Sequence, residues 1–376
     1  MDKVYVIGAA MSDFGAFPNV DILETAKDAV WDAIKSAGIK PGDIDMIYSS
    51  ATKQGSTFGQ RALVKIGLTG GTIINVENAC ASGGTAVFCA RNSIASGACD
   101  IVLVMGAEKL TGTAGFIPPM LNEYNGSNGY VMPAGGALIA KVHMATYGTT
   151  KEQMAKVSVK NHHYGCLNPR AQFKKEMTVE EILASPIVCD PVHLFECCPT
   201  SDGAAAVVLC SERVVKKYCS NPVELAASVV KSGYIKPRQD MSMSELSTRA
   251  ASEAYEEAGI GPEDVDVAEL HDPFTIMEIM HYENLGFCER GEGGKYIDEG
   301  RSEIGGDVAV NPSGGLQSKG HPLGATGVAQ VAEIFWQLRE EADKRQVPGA
   351  KVGIAHTMGG AVSGADGACS MQVLKI

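Results

Sequence analysis

Short apolar runs alternate with amphipathic stretches along this chain, the pattern of strands separated by helices. The opening Met1-Asp2-Lys3-Val4-Tyr5-Val6-Ile7-Gly8 predicts a strand almost at once, and Asp100-Ile101-Val102-Leu103-Val104-Met105-Gly106 is an apolar run of buried-strand type. Gly203-Ala204-Ala205-Ala206-Val207-Val208-Leu209-Cys210 and Lys351-Val352-Gly353-Ile354-Ala355 predict two more strands. Between such runs, Ala26, Ala29, Val30, Ala33 and Ile34 share one helical face, and so do Ala250, Ala251, Ala254 and Tyr255.

The pattern occurs twice. Each amphipathic stretch leads into a related segment, Ala37-Gly38-Ile39-Lys40-Pro41-Gly42-Asp43-Ile44-Asp45 and then Ala258-Gly259-Ile260-Gly261-Pro262-Glu263-Asp264-Val265-Asp266, and each is followed by a predicted strand. In the same order, Cys80-Ala81-Ser82-Gly83-Gly84-Thr85-Ala86-Val87 aligns with His321-Pro322-Leu323-Gly324-Ala325-Thr326-Gly327-Val328, both being tight turns that enter a helix. Two ordered matches favour duplication over coincidence. We expect two similar α/β domains, residues 1–215 and 216–376, with mixed, largely parallel sheets covered by helices and equivalent loops facing each other across a cleft. Residues from Thr111 to about Pro199 interrupt the plan with Pro118-Pro119, Asn122, Asn125-Gly126, Asn128-Gly129 and a predicted helix at Lys151–His162, so we expect an inserted cap at about 111–199.

Composition narrows the function classes. A formal charge of -12 argues against a nucleic-acid groove, which needs clustered Lys and Arg, yet leaves room for an anionic small ligand at helix N-termini. Eleven cysteines, an odd number scattered through a chain that opens on a strand, suit a reducing cytoplasm better than a disulfide scaffold. No apolar run approaches the roughly 20 residues that cross a bilayer. The expectation is a cytoplasmic protein that engages neither nucleic acid nor membrane.

Three segments carry candidate chemistry. Cys80 stands where a strand-like run enters a small-residue helix, so the helix dipole is expected to favour its thiolate; the alternative is a buried small hydrophobe. In Gly320-His321-Pro322-Leu323-Gly324-Ala325-Thr326-Gly327, the crowded glycines bring backbone close to something, and Pro322 restrains His321. That imidazole can accept the thiol proton, or it can be purely structural. Glu269-Leu270-His271-Asp272-Pro273-Phe274 offers His271 as an oxyanion donor, with Asp272 or Glu269 expected to orient a ring.

These residues resemble the thiolase superfamily through almost the whole chain: Asn78-Ala79-Cys80-Ala81-Ser82-Gly83 is similar to its nucleophile motif, Gly320-His321-Pro322-Leu323-Gly324 to its His loop, and Thr200-Ser201-Asp202-Gly203-Ala204-Ala205-Ala206 and Asn311-Pro312-Ser313-Gly314-Gly315 to further segments. The resemblance implies a duplicated five-layer α-β-α-β-α thiolase fold with an inserted loop domain, at least a dimer or a dimer of dimers, and coenzyme A as substrate with no metal. It implies acylation of Cys80, activation by His321, an oxyanion contact from His271, and CoA lying against the insertion and a loop that includes Ser313, Gly314 and Gly320.

His271-Asp272-Pro273-Phe274 is closer to the sterol-carrier-protein-type and archaeal thiolases than to members with Asn-Glu-Ala-Phe there. It also exposes a gap. The second catalytic cysteine of ordinary thiolases is replaced by Thr357 within His356-Thr357-Met358-Gly359-Gly360, and the cysteine that sterol-carrier-type enzymes carry after His-Asp is replaced by Pro273. Removing an α-proton needs a base; His356 is the nearest candidate, with Cys288, Cys197 and Cys198 as others, and a merely hydrogen-bonded His356 as the alternative. The expected reaction is cleavage of a β-ketoacyl-CoA by CoA or the reverse condensation, with a small OB-fold and zinc-ribbon subunit as an implied partner, as in archaeal acetoacetyl-CoA synthesis and bacterial benzoylsuccinyl-CoA cleavage. A ketoacyl-synthase-like enzyme fed by a carrier protein, and a non-catalytic thiolase-like scaffold, are the competing readings.

Overall fold

The computed structural model describes residues 2–112, 131–234, 240–362 and 365–376. Pro118-Pro119, Asn122, Asn125-Gly126 and Asn128-Gly129 lie outside the described residues. The strands are β1 (Val4–Met11), β2 (Met46–Ser50), β3 (Thr72–Val76), β4 (Ile101–Glu108), β5 (Ile187–Cys189), β6 (Val192–His193), β7 (Gly203–Ser211), β8 (Val223–Ser232), β9 (Val267–Glu269), β10 (Ala309–Val310), β11 (Val352–Val362) and β12 (Ala365–Lys375). Ten of them join in the order β10-β9-β11-β12-β8-β1-β7-β4-β2-β3.

That order contains the duplication. Read from its outer edge, the first half runs β3-β2-β4-β7-β1 and the second runs β10-β9-β11-β12-β8, with the same pairing directions at each step. Within each half two pairings are parallel and two antiparallel, so the sheets are mixed, as expected, with parallel and antiparallel pairs in equal number. β12 returns directly from β11 as an antiparallel neighbour, and β7 returns against β4 after the insertion, so neither pair requires the crossover that a parallel neighbour demands.

The repeated sequence explains the repeated geometry. The helices Ile22–Ala37 and Glu245–Ala258 end on Gly38 and Gly259, whose φ of 66° and 68° few other residues adopt cheaply. Asp43 and Asp264 each accept a backbone N–H three residues upstream at 2.8 Å. Asp45 then accepts from the N–H groups of Asp100 and Ile101 at 2.8 and 2.9 Å, and Asp266 accepts from Lys351 and Val352 at 2.7 and 2.9 Å. Each aspartate thus fixes where a neighbouring strand begins.

Among the described residues the two halves of the sheet are joined by the pairs Tyr5–Glu224 and Val6–Val223. Helices Ser82–Ala95 and Leu323–Leu338 pack on both halves and on each other, while Ile22–Ala37 covers the first half and Glu245–Ala258 the second from outside. The result is five layers, α-β-α-β-α. Leu323–Leu338 is buried all round after its first residue, as expected of a middle-layer helix. The insertion between β4 and β7 contributes helices Met132–Tyr147, Lys151–Leu167 and Val179–Leu183 and the β5–β6 hairpin. It is fastened to the second half by buried polar contacts: Lys160 Nζ meets Glu278 at 2.6 Å and the Val310 carbonyl at 2.7 Å. Among the described residues no helix is long and apolar enough to cross a membrane.

The two central helices touch through backbone. A Cβ placed on Gly327 would lie 2.3 Å from the Gly84 nitrogen, and one on Gly83 would lie 2.8 Å from the nitrogen of Val328. Backbone cannot yield as a flexible side chain can. Gly327→Ala is therefore expected to destabilise the fold by about 1–3 kcal/mol, read as a lower chemical-denaturation midpoint; an unchanged midpoint would mean the helices can part there at no cost.

Candidate active site at the seam between the halves

The crossing of the central helices also sets the chemistry. Cys80 and His321 each stand two residues ahead of a central helix, whose first residues are Ser82 and Leu323. The Cys80 turn is built by local hydrogen bonds: Asn78 N–H donates to Ser82 Oγ at 2.8 Å, Ser82 Oγ donates to the Ala79 carbonyl at 2.5 Å, and Ala79 N–H donates to Glu77 at 2.8 Å. Ala79 is held at a φ of 49°, a conformation costing on the order of 1–3 kcal/mol that persists only where its surroundings impose it. Gly359 of β11 makes room, because a Cβ there would sit 2.0 Å from the Asn78 carbonyl oxygen.

The His321 loop is held from the first half. Glu108, at the end of β4 and fully buried, accepts from Gly324 N–H at 3.0 Å as well as from Thr52, Lys53 and Gln54. Ser201, just before β7, accepts His321 N–H at 3.0 Å. His271 arrives at the C-terminal end of β9. The Cys80 sulfur and one nitrogen from each of His271 and His321 lie within 4.8 Å of one another, and the two rings meet edge to face at 5.3 Å. All three residues are buried, at 6%, 4% and 4% exposure.

Hydrogen bonding decides what the rings can do. Thr326 Oγ1 donates to the Pro322 carbonyl at 3.1 Å and lies 2.8 Å from His321 Nδ1. A hydroxyl has one proton, so with that proton on Pro322 it must accept from Nδ1–H. His321 is thereby held in the Nδ1–H tautomer with the Nε2 lone pair free, and Nε2 has no partner in the protein. Both nitrogens of His271 are likewise unpartnered. Buried polar atoms left unpaired are costly, and an N–H so placed suits a charge that forms during reaction.

Burial dominates the electrostatics. It pushes the Cys80 thiol up to about 12, with Glu108 adding to the effect, and pushes His321 down to about 3, with Lys319 adding to it. His271 is held well below the usual imidazole range by burial and then by His321. The resting site therefore contains a protonated thiol and two neutral imidazoles. Burial thus acts on Cys80 against the helix dipole: the helix begins at Ser82, two residues beyond the sulfur, and removal from water raises the thiol.

The other predicted residues lie around this cluster. His356, on β11, is fully buried, places Nε2 3.0 Å from Ser247 Oγ on an outer-layer helix, and packs against His281 at 4.5 Å. Thr357 points to the other face and pairs with Ser370 Oγ at 2.7 Å. Ser313 is buried and donates to Glu269 at 2.6 Å; Gly314 and Gly320 carry φ of 104° and 113° in the same enclosed loop. Neither carboxylate expected to orient a ring does so. Glu269 also pairs with the buried Lys319 at 2.8 Å, and Asp272 accepts from Leu316 N–H and Asn161 at 2.9 Å. Orientation of the His321 ring falls instead to Thr326, and Ser201 holds the backbone of its loop; the residue types were visible in the sequence but their partners were not.

An enclosed thiol facing two neutral imidazoles, at the seam of a duplicated α/β molecule, defines a cysteine-dependent acyl-transfer enzyme. One sulfur and two imidazoles are also metal-ligand types, and this is the one such cluster found among the described residues. Comparison with known proteins resolves the class. "Thiolase, N-terminal domain" matches residues 4–213, and "Thiolase C-terminal domain-like" matches residues 227–368. The chain is 42% identical to acetyl-CoA acetyltransferase of Methanothermobacter thermautotrophicus, over 96% of this chain and 97% of the relative. It is 42% identical to human sterol carrier protein 2 over 95% and 70%, and 39% identical to the benzoylsuccinyl-CoA thiolase subunit BbsB of Thauera aromatica over 95% of each. Among solved structures, the Ltp2-ChsH2(DUF35) aldolase superposes with a TM-score of 0.86 at 24% identity over 99% of this chain and 97% of that one. Human mitochondrial 3-ketoacyl-CoA thiolase superposes at 0.75 and 18% identity over 100% and 98%. The chain belongs to the thiolase family. Its activity is that of a thiolase-type acyl-CoA acyltransferase, with coenzyme A as a substrate.

The tautomer argument yields a test. Thr326→Val removes the acceptor for Nδ1–H and is expected to slow acylation of Cys80 by acyl-CoA roughly tenfold or more, whereas Thr326→Ser, which keeps the hydroxyl, should stay near the parent rate. Equal rates in all three, measured by quenched-flow mass spectrometry, would remove Thr326 from the site's design.

Proposed function

We propose that the protein carries its acyl group as a thioester on Cys80 while it cleaves a β-ketoacyl-CoA with CoA, or runs the reverse condensation. The observation that carries this reading is the buried Cys80–His271–His321 cluster, with its unpartnered imidazole nitrogens. His321 Nε2 takes the thiol proton as the sulfur attacks the β-carbonyl. Because thiol and imidazole are both neutral at rest, the charges arise only as the sulfur–carbon bond forms. The N–H of His271 meets the oxygen on which negative charge develops; one such donor is worth on the order of 3 kcal/mol in a site closed to water.

The loop of Ser313, Gly314 and Gly320 serves as the wall against which CoA lies, its backbone held by the Glu269–Lys319 pair behind it. The names of the relatives, acetyl-CoA acetyltransferase and benzoylsuccinyl-CoA thiolase subunit, support a CoA thioester as substrate. For assembly we propose a homodimer or dimer of dimers formed at β3. It is the last strand on its side of the sheet, with Thr72, Ile74 and Asn75 exposed, and such an edge favours pairing with a second copy. A small companion subunit is supported by the word "subunit" in the benzoylsuccinyl-CoA relative's name and by the DUF35 component of the solved aldolase complex.

The decisive experiment offers acyl-CoA and acyl-carrier protein separately and follows the mass at Cys80. Labelling by acyl-CoA is expected; labelling only from the carrier would favour a ketoacyl-synthase-like enzyme, and none from either would favour a scaffold. Cys80→Ala should abolish the acyl-enzyme with the fold intact, since loss of one sulfur at a turn costs little. His321→Ala should slow acylation by roughly two to four orders of magnitude. Turnover surviving in the first variant, or an unchanged rate in the second, would reject the assigned roles.

A further inference from the structure

Cleaving or forming the carbon–carbon bond needs a second proton-transfer group beyond the His321 that serves Cys80. The groups near the cluster are largely spent. Glu108 accepts five hydrogen bonds, and Asp272 is committed to Leu316 and Asn161. His356 engages Ser247 and turns toward the outer helix layer. Cys369, on β12, is fully buried. Cys197 directs its sulfur to the His193 carbonyl at 3.4 Å, and Cys288 follows the helix Thr275–Asn284, where its charged neighbours are Glu283, Arg301, Glu292 and Glu289 and none belongs to the cluster.

Cys198 is placed differently. Its neighbour Cys197 bridges Phe274 in antiparallel fashion, and its own N–H donates to the Pro273 carbonyl at 2.9 Å, two residues beyond His271. Three residues later Ser201 accepts His321 N–H at 3.0 Å. The stretch from Cys197 to Ser201 therefore spans from the His271 strand end to the His321 loop, with Cys198 between those two anchor points. The residue keeps part of its surface open, unlike Cys369. Its thiol is driven well above the usual range by burial and then by Cys197, Cys80 and Asp272, so Cys80 lies within electrostatic reach. His271, 4% exposed with both nitrogens unpartnered, marks where the ligand's carbonyl enters the same space.

We propose that Cys198 is a further catalytic residue, the acid and base for the substrate's α-carbon and for the incoming CoA thiol. This rests on the thioester reading above. In the cleavage direction, attack by Cys80 on the β-carbonyl is followed by rupture of the Cα–Cβ bond, whose electron pair becomes the enolate of the shortened acyl-CoA. The Cys198 S–H proton passes to Cα, the shortened acyl-CoA leaves, and Cys198 remains as thiolate. CoA-SH then returns a proton to Cys198, and its sulfur displaces Cys80 from the thioester; Cys80 recovers its proton from His321. A thiol held protonated at neutral pH is the form the first transfer requires, and its conjugate thiolate is a correspondingly strong base for the second.

Two readings separate this role from the rest of the machinery. Acetyl-, butyryl- and succinyl-CoA are incubated with the full chain in deuterated water, and mass spectrometry follows deuterium entering the α-carbon of free acyl-CoA; in a parallel sample, peptide mass spectrometry follows alkylation of Cys80 by iodoacetamide, which draws on His321 but releases no thiolate for Cys198 to protonate. Cys198→Ala and Cys198→Ser are expected to lose α-exchange by roughly 10²–10⁴-fold, and acylation of Cys80 by acyl-CoA slows as well because Cys198 protonates the departing CoA sulfur, while Cys80 alkylation stays within about threefold of the parent; Cys197→Ala should keep all three. Exchange unchanged in both Cys198 variants would overturn the proposal, as would exchange and alkylation falling together, which marks a structural role. A parent chain that neither acylates nor exchanges would overturn the thioester reading along with it. If Cys198→Ala does not fold, the near-isosteric Cys198→Ser decides the question alone.

Discussion

The close crossing of two helices at glycine is the constraint from which the site follows. Gly83, Gly84 and Gly327 let the central helices touch backbone to backbone, and both helices are preceded at the same two-residue offset by a side chain able to do chemistry. Bringing the helix starts together brings Cys80 and His321 together. A wider crossing would move the imidazole away from the sulfur, and contributions from well-oriented groups fall steeply with displacement. The same packing that forms the middle layer of the fold therefore sets the reacting geometry.

Enclosure has a second consequence. Water is excluded around Cys80, His271 and His321, so the groups that could be charged are neutral, and the rings lack the partners that solvent would provide. The site is poised through placement of donors and lone pairs rather than through preformed ions. Around it the opposite logic holds. The buried carboxylates Glu108, Glu269, Glu278 and Asp272 are each satisfied by backbone N–H groups, amides or a buried lysine, and they hold the surrounding loops. Both nitrogens of His271 and Nε2 of His321 stay unpartnered where substrate is expected, while these carboxylates anchor the loops around them.

The insertion belongs to this scaffold as much as to the cap. Lys160 and Asn161, on one of its helices, enter the network under the His271 strand end, and the Cys197–Ser201 stretch that closes the insertion bonds to Pro273 at one end and to the His321 N–H at the other. A segment that reads as an interruption of the repeat thus helps to define the site. Family membership is consistent with this arrangement, since both thiolase domain descriptions are matched with the insertion lying inside the first.

Much of the architecture was legible in residue order alone. The Ala37–Asp45 and Ala258–Asp266 copies identified the duplication because the glycine at each helix end and the aspartates after it act locally, through a positive φ and through bonds to nearby backbone. Cys80 and His321 could be paired before any coordinates because both precede equivalent helices. Only the tertiary structure revealed how strongly burial raises the thiol, against the direction that the helix start predicts. It also decided that Thr326 rather than a carboxylate sets the His321 tautomer, and that Cys198, more than a hundred residues from Cys80, lies within its electrostatic reach while His356 turns outward. Periodicity and turn chemistry are properties of neighbours along the chain. Desolvation and the choice among distant partners depend on the whole packed interior.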